Sequence, residues 1–261
     1  MNYKVSVNKT EMKEVSAEIK KKLFSLNQMF LKSEEKVAYL YQSLDGVDTF
    51  SFNEDICFYT ASVMKLFVVA IFYQKFILGS ISKEEIITVE ESDLKQRSGI
   101  LKKRNVPFSI SLEELCLLSI KYSDNTAYTK LVNFLGKDTI ASIGKEIGAT
   151  HTMEGKDSFG LINASDALLY LKFLNQLLID YPNETKDLKT ALLQPETKIV
   201  QTEDTYFRKY GNFDIAYHEV GIVSEIKPYY FICLTQKGNC KNKKQFIHKT
   251  YQIIKELNQL K

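Results

Sequence analysis

Ser62 and Lys65 are the residues whose types and spacing most directly suggest catalysis in this sequence. They stand where an extended, aromatic-rich segment (residues 51–59) gives way to a long apolar run. Residues three apart share one helix face, so the Lys65 amine can reach the Ser62 hydroxyl and act as its base. The free N–H groups and positive dipole end of a helix start favour negative charge developing nearby. Taken alone, the pair is more typical of a capping serine and a surface lysine, so further motifs are needed.

Two later stretches carry polar side chains suited to substrate handling. Residues 123–125, Ser-Asp-Asn, lie in a tight link between two predicted helices. Ser123 could relay a proton to a leaving group and Asn125 could hold an amide, although these residue types also cap helices. Residues 209–211, Lys-Tyr-Gly, end a predicted strand. Lys209 could bind a carboxylate there, and the glycine lets the backbone approach a ligand closely.

The elements that must position these residues follow from hydrophobic periodicity, caps and turn residues. Helices are predicted at residues 10–30, from 62 to about 79, and at 112–121, 125–135, 138–147, 165–179, 184–193 and 243–260. Strands are predicted at residues 36–44, 48–52, 205–210, 216–225 and 229–236, with chain breaks at 211–212 and 228. Residues 80–107 are mixed and polar, and residues 150–163 form a loop.

These elements indicate an α+β fold of two lobes. A five-stranded antiparallel sheet, flanked by the N- and C-terminal helices, is expected from residues 1–61 and 196–261. An all-helical lobe is expected from residues 62–195, with the active site in the cleft between the lobes.

Composition excludes several classes of function. The 261 residues include 35 basic and 32 acidic side chains, a net charge of +3 that gives no argument for nucleic-acid binding. No apolar run is long enough to span a membrane. Residues 1–10 lack the apolar core of a signal peptide, so the chain is either cytoplasmic or a mature form of an exported or anchored protein. The four cysteines and three histidines show no metal-binding spacing, and we expect the cysteines to be mostly core thiols.

The order of the three motifs points to a known family. Ser-x-x-Lys, then Ser-Asp-Asn about 60 residues later, then Lys-x-Gly on a late strand matches the motif set of class A β-lactamases and penicillin-binding proteins. The sequence resembles the class A β-lactamase-like serine hydrolases over most of residues 10–260. Further matches to the family lie at residues 58–62, 98–101, 123–127 with Leu131 and Gly136, and 228–235.

The resemblance implies a β-lactamase/transpeptidase-like fold and an acyl-enzyme on Ser62, formed by attack on a lactam or acyl carbonyl. Lys65 would be the base or part of a proton relay, and Ser123 would pass a proton to the leaving nitrogen. Substrate binding is expected from Asn125, Lys209, Gly211 and Asn212, the last completing an oxyanion hole with the Ser62 N–H. No metal or organic cofactor is implied.

Three departures from the family pattern stand out. Tyr210 replaces the Thr or Ser of the third motif, and a rival alignment places His-Glu-Val-Gly at 218–221 there. We favour Lys209 because residues 218–223 resemble the next strand of relatives. The segment 150–164 is too short for the family's usual deacylation loop. Glu154 is its candidate deacylation base, and Asp157 is an alternative. A disulfide of some relatives cannot form, because Val69 stands opposite Cys116.

Three functional hypotheses follow. The first is a β-lactamase acting on small β-lactams and contributing to antibiotic resistance. The second is a slowly deacylating penicillin-binding D,D-peptidase or esterase acting on peptidoglycan-like acyl substrates, which the lack of a clear deacylating glutamate favours. The third is a binding protein that keeps the fold without turnover, for which Tyr210 is the main support. The sequence leaves the oligomeric state open.

Overall fold

The computed structural model describes residues 17–33, 36–155, 157–236 and 243–260. The helices in these ranges are α1 (Ala17–Leu31), α2 (Met64–Ile77), α3 (Leu112–Lys121), α4 (Asn125–Leu135), α5 (Lys137–Glu146), α6 (Ala164–Asp180), α7 (Lys186–Leu193) and α8 (Lys243–Gln259). The strands are β1 (Lys36–Ser43), β2 (Thr49–Phe52), β3 (Phe58–Tyr59), β4 (Ile86–Val89), β5 (Phe108–Ser111), β6 (Leu161–Ile162), β7 (Thr205–Phe213), β8 (Ala216–Ser224) and β9 (Tyr229–Gln236). The predicted start of the first helix at residue 10 lies outside the described ranges.

The predicted five-stranded antiparallel sheet is confirmed, with strand order β2-β1-β9-β8-β7. One face of the sheet packs against α1 and α8 through a cluster that includes Leu26, Phe231 and Ile254. The other face packs against the helical layer built on α2, through residues such as Leu40 and Ile232. Because successive side chains of a strand point to opposite faces, strands β1, β7, β8 and β9 contribute residues to both clusters. Strand β7 forms the sheet edge next to the helical layer.

Helix α2 is the centre of the helical layer. Every residue from Met64 to Tyr73 is buried, including Lys65. The ring of Phe67 stacks on Tyr170 of α6, with centroids 4.2 Å apart. An apolar helix enclosed on all sides holds its first turn rigidly, and that turn follows Ser62 directly.

The structure corrects three details of the predicted elements. Strand β7 runs through Gly211 and Asn212, where a break was predicted, because its pairing with β8 continues to Phe213 opposite Ala216. The polar segment 80–107 contains β4, which pairs with β5. The loop 150–163 contains β6, which pairs with β3 and brings that loop beside Ser62. Residues 62–195 are therefore mainly, but not entirely, helical. Within the described ranges, no helix is long and apolar enough to cross a membrane.

Candidate active site

Ser62 lies in a short 3-10 turn, Ala61–Val63, that leads into α2. Ser62 is buried, and the preceding Ala61 has a left-handed backbone with φ of 49°. Such a conformation is costly for a residue with a Cβ atom, and strain of this kind is concentrated at functional sites. The turn is held from one side by the N–H of Thr60, which donates to Gly160 O at 3.1 Å.

Gly211 of β7 brings the sheet edge against this turn. A Cβ atom at Gly211 would lie 3.1 Å from Val63 Cγ2 and 3.3 Å from Thr60 O. These distances are at the lower limit of normal contact, so a side chain would push β7 away from the serine. The glycine therefore sets the spacing between the Ser62 turn and the Asn212 backbone.

Lys65 is completely buried, and its ammonium group points at the second motif. Lys65 Nζ donates to Ser123 Oγ at 3.2 Å, to Asn125 Oδ1 at 2.7 Å and to the Ser123 carbonyl. Burial holds the pKa of Lys65 well below its usual value, the charge of Lys209 acts in the same direction, and Asp124 opposes both. A lysine with a lowered pKa can accept a proton near neutral pH, as a general base must.

Asp124 fixes the second motif to the segment before α3. Its carboxylate accepts hydrogen bonds from the N–H groups of Ile100 at 2.7 Å, Leu101 at 2.8 Å and Ala127 at 2.9 Å. The last of these caps α4. Gly99 makes the approach possible, because a Cβ atom there would lie 2.1 Å from Asp124 Oδ2. The carboxylate is thus structural, and it holds Ser123 with a left-handed φ of 53°.

Lys209 meets the same hydroxyl from the opposite side. Lys209 Nζ donates to Ser123 Oγ at 3.1 Å and to Tyr210 O at 3.2 Å. Burial lowers the pKa of Lys209 to about 7, against the opposing effect of Glu219. Ser123 Oγ is therefore shared by two buried lysines, an arrangement that can pass a proton along a short path.

His218, from the rival third motif, has a different role. Its Nε2 lies 2.8 Å from Tyr59 O, and its Nδ1 accepts from the Thr235 N–H at 3.1 Å. Both ring nitrogens are thus used inside the fold, and burial lowers the pKa of His218 to about 4. Lys209, and not His218, contacts Ser123. The Tyr210 ring centroid lies 4.3 Å from Lys209 Nζ, so this residue contacts the lysine through its ring.

A small cleft of about 30 Å³ opens over Ser62. It is lined by Tyr59, Ala61, Ser62, Arg97, Ser98, Asn125, Phe159, Asn212 and Phe213. The Arg97 guanidinium lies 4.2 Å from the Phe213 ring centroid, so a cation connects the two walls of the cleft. Sequence reasoning missed Arg97, although it directly precedes the recognised Ser98-Gly99 segment.

The two candidate carboxylates of the loop 150–164 do not line the cleft over Ser62. Glu154 is exposed and does not line the cleft. Asp157 accepts from the Tyr59 hydroxyl at 2.9 Å and from the Phe159 N–H at 2.9 Å, so it braces the loop.

Two aromatic rings, and not a carboxylate, lie next to Lys65. The ring centroids of Tyr128 and Phe159 each lie 5.7 Å from Lys65 Nζ, and the two rings stack on each other. Among the described residues that line the cleft, none is a carboxylate. Sequence reasoning missed this aromatic pair, because nothing local to either residue marks it.

Comparisons with known proteins concern the family and the fold of the chain. The model of the beta-lactamase enzyme family matches residues 23–257. No protein of curated function matches the chain. A variant of PBP-A, solved as an acyl-enzyme complex with penicillin G, has 17% identity and a TM-score of 0.83, covering 91% of this chain and 96% of its own.

Two β-lactamases are similar in the same way. The enzyme from Sphaerobacter thermophilus has 17% identity and a TM-score of 0.79, covering 93% of this chain and 97% of its own. An ancestral class A β-lactamase has 16% identity and a TM-score of 0.80, covering 90% of this chain and 99% of its own. The predicted fold is confirmed. Since the family model spans almost the whole chain, the protein belongs to the beta-lactamase enzyme family.

Proposed function

We propose that the protein is a serine acyl hydrolase that opens β-lactam rings by forming an acyl-enzyme on Ser62. The observation that carries the proposal is the position of Ser123 Oγ, 3.2 Å from Lys65 Nζ and 3.1 Å from Lys209 Nζ. A hydroxyl shared by two lysines of lowered pKa is suited to moving a proton between a nucleophile and a leaving group.

The proposed acylation step combines these contacts with the Ser62–Lys65 spacing in the sequence. Lys65, in its neutral form, takes the Ser62 proton as Oγ attacks the lactam carbonyl. The N–H groups of Ser62 and Asn212 stabilise the oxyanion, and each such donor is typically worth about 3–4 kcal/mol. Ser123 then gives its proton to the lactam nitrogen as the C–N bond breaks and recovers a proton from the lysine pair.

Substrate recognition is assigned to the cations and polar groups around the cleft. The Lys209 ammonium, below its pKa of about 7, attracts the carboxylate of a β-lactam or of a peptidoglycan-like acyl substrate. Arg97 adds a second positive charge at the cleft wall. Asn125 holds a substrate amide near Lys65, in addition to accepting from the lysine ammonium.

A second candidate function is a penicillin-binding enzyme that deacylates slowly. The observation that favours it is the pair of rings, Tyr128 and Phe159, beside Lys65. Hydrolysis of the acyl-enzyme needs a group that activates water, and a carboxylate is absent from the described cleft lining. The non-catalytic alternative is less supported, because the two lysines and Ser123 are in hydrogen-bond contact.

The test is the intact mass of the protein during a time course with a penicillin, for the wild type and for Ser62→Ala. An adduct that requires Ser62 and clears within seconds identifies a β-lactamase. A Ser62-dependent adduct that persists for hours identifies the slow enzyme. No adduct on folded wild-type protein would refute the proposal and leave an esterase or a non-catalytic binder.

A further inference from the structure

A second nucleophile lies outside the cleft, on Cys57 immediately before β3. Cys57 Sγ is 3.0 Å from His151 Nε2, and His151 Nδ1 is 2.9 Å from Asp166 Oδ2. A nucleophile in contact with a base, which is itself oriented by a carboxylate, is the arrangement of an activated side chain. None of these three residues lines the Ser62 cleft, and the proposed function uses none of them.

Asp166 determines the orientation of the imidazole. It is buried in the first turn of α6, where its N–H donates to Asn163 Oδ1 at 2.7 Å. Its carboxylate accepts from the N–H groups of Thr150 at 2.8 Å and His151 at 3.2 Å, as well as contacting Nδ1. Since the carboxylate fixes both the backbone and the ring, Nδ1 carries the proton and Nε2 faces the thiol as an acceptor.

The surroundings of Cys57 favour the protonated thiol, which loses its proton to His151 only when it reacts. Burial raises the pKa of Cys57, the charge of Lys36 opposes it, and Asp166 and Glu154 add to it. Cys57 is nevertheless only half-buried, whereas Cys116 and Cys233 are fully enclosed. Of these three thiols, Cys57 is the one that a small reagent can approach with a base in place. Cys240 lies outside the described residues.

We propose that Cys57, His151 and Asp166 form an activated-thiol site that exchanges with small disulfides. Cys57 Sγ attacks one sulfur of the disulfide while His151 Nε2 takes the thiol proton. The original S–S bond breaks, a mixed disulfide forms on Cys57, and the departing thiolate receives the proton from His151. The Lys36 ammonium donates to the Cys57 carbonyl, and this cation partly offsets the negative charges of Asp166 and Glu154 around the thiol.

The experiment measures thiol exchange at each cysteine by peptide mass spectrometry, using dithiobis(nitrobenzoate) as the small disulfide. The full-length wild type is compared with His151→Gln, which keeps a polar side chain but cannot act as the base. His248→Gln, on α8, is the matched control, and exchange at Cys240 in the same digest is the internal reference. Asp166→Asn tests the positioning residue, with a thermal melt to show that the fold is kept.

We expect exchange at Cys57 to be at least tenfold slower in His151→Gln than in the wild type, since a positioned base typically contributes about 10²–10⁴. We expect His248→Gln to match the wild type. Equal Cys57 rates in the wild type and a folded His151→Gln would overturn the proposal, as would slowing to the same degree in His248→Gln. If Asp166→Asn unfolds, the His151 comparison alone decides. Acylation of Ser62 is measured separately, by intact mass after mixing with a penicillin. Failure of the thiol proposal can therefore be distinguished from failure of the proposed function.

Discussion

Acylation of Ser62 by a penicillin is predicted to slow as the pH rises through about 7. Lys209 has its pKa lowered from the usual range of lysine to about 7, so the ammonium is present below that pH and absent above it. The substrate carboxylate therefore loses its charged partner on the alkaline side. A hydrogen bond to a charged group is worth about 1.5–3 kcal/mol, which corresponds to a fall of about 10- to 150-fold in acylation efficiency.

Protonation of Lys65 determines how the acylation rate changes on the acid side of the same pH profile. Its amine must be neutral to accept the Ser62 proton, so acylation rises as the pH passes upward through its lowered pKa. The two lysines are coupled, because the charge of Lys209 lowers the pKa of Lys65. The expected profile is a bell.

The assay is the second-order rate of Ser62 acylation between about pH 6 and 9, measured with a penicillin and with a neutral aryl ester that lacks a carboxylate. The alkaline fall should be much smaller for the ester. In Lys209→Arg, the guanidinium stays charged over this range, so the fall with penicillin should disappear. A profile that stays flat above pH 7 with penicillin, or an equal fall with the ester, would refute the assignment of Lys209.

Two further predictions concern Gly99 and Phe159, which lie next to the candidate catalytic residues. Gly99→Ala should lower the free energy of unfolding by at least about 4 kcal/mol, because its Cβ displaces a hydrogen-bonded carboxylate. Gly46→Ala also places a side chain at a positive φ, 76° against 115° at Gly99, but has open space around it and should cost only about 1–2 kcal/mol. Equal losses in urea titrations would contradict the packing argument. Phe159→Glu should shorten the lifetime of the penicillin adduct at least tenfold by supplying a base, whereas Phe159→Leu should leave it unchanged. An unaltered lifetime in the glutamate variant, measured by intact mass, would show that the aromatic flank does not limit deacylation.

Local signals explain why much of the helical layer could be predicted. The bounds of α3 and α4 agree with those predicted, since Ser111 and Asp124 cap their first turns and Gly136 ends the second helix. Strand β9 likewise agrees, because Pro228 precedes a continuous run of β-branched and aromatic residues. These signals act within a few residues of the element they define.

Elements that depend on distant partners were harder to predict. A break was predicted at Gly211. Pairing with β8 instead keeps the chain extended there, and the absence of a Cβ atom leaves room for the turn that carries Ser62. The β3 and β6 strands are two residues each and exist only through their pairing. The contact between Cys57 and His151 spans 94 residues, so neither residue is marked by its own surroundings in the sequence.

The two halves of the proposed reaction depend on parts of the molecule with different sequence signals. The acylation groups lie at the start of α2, just before α4 and on β7, and their motifs are recognisable together, by their order along the sequence. Deacylation depends on the loop between α5 and α6, where the short length indicated a missing glutamate but not what replaces it. The structure places Phe159 there, with its loop braced by Asp157 against Tyr59. A hydrophobic flank that shields the ester from water can coexist with a complete set of acylating groups. Ser62 can therefore react rapidly while the acyl-enzyme persists, and the lifetime of the adduct becomes the property that separates a β-lactamase from a penicillin-binding enzyme.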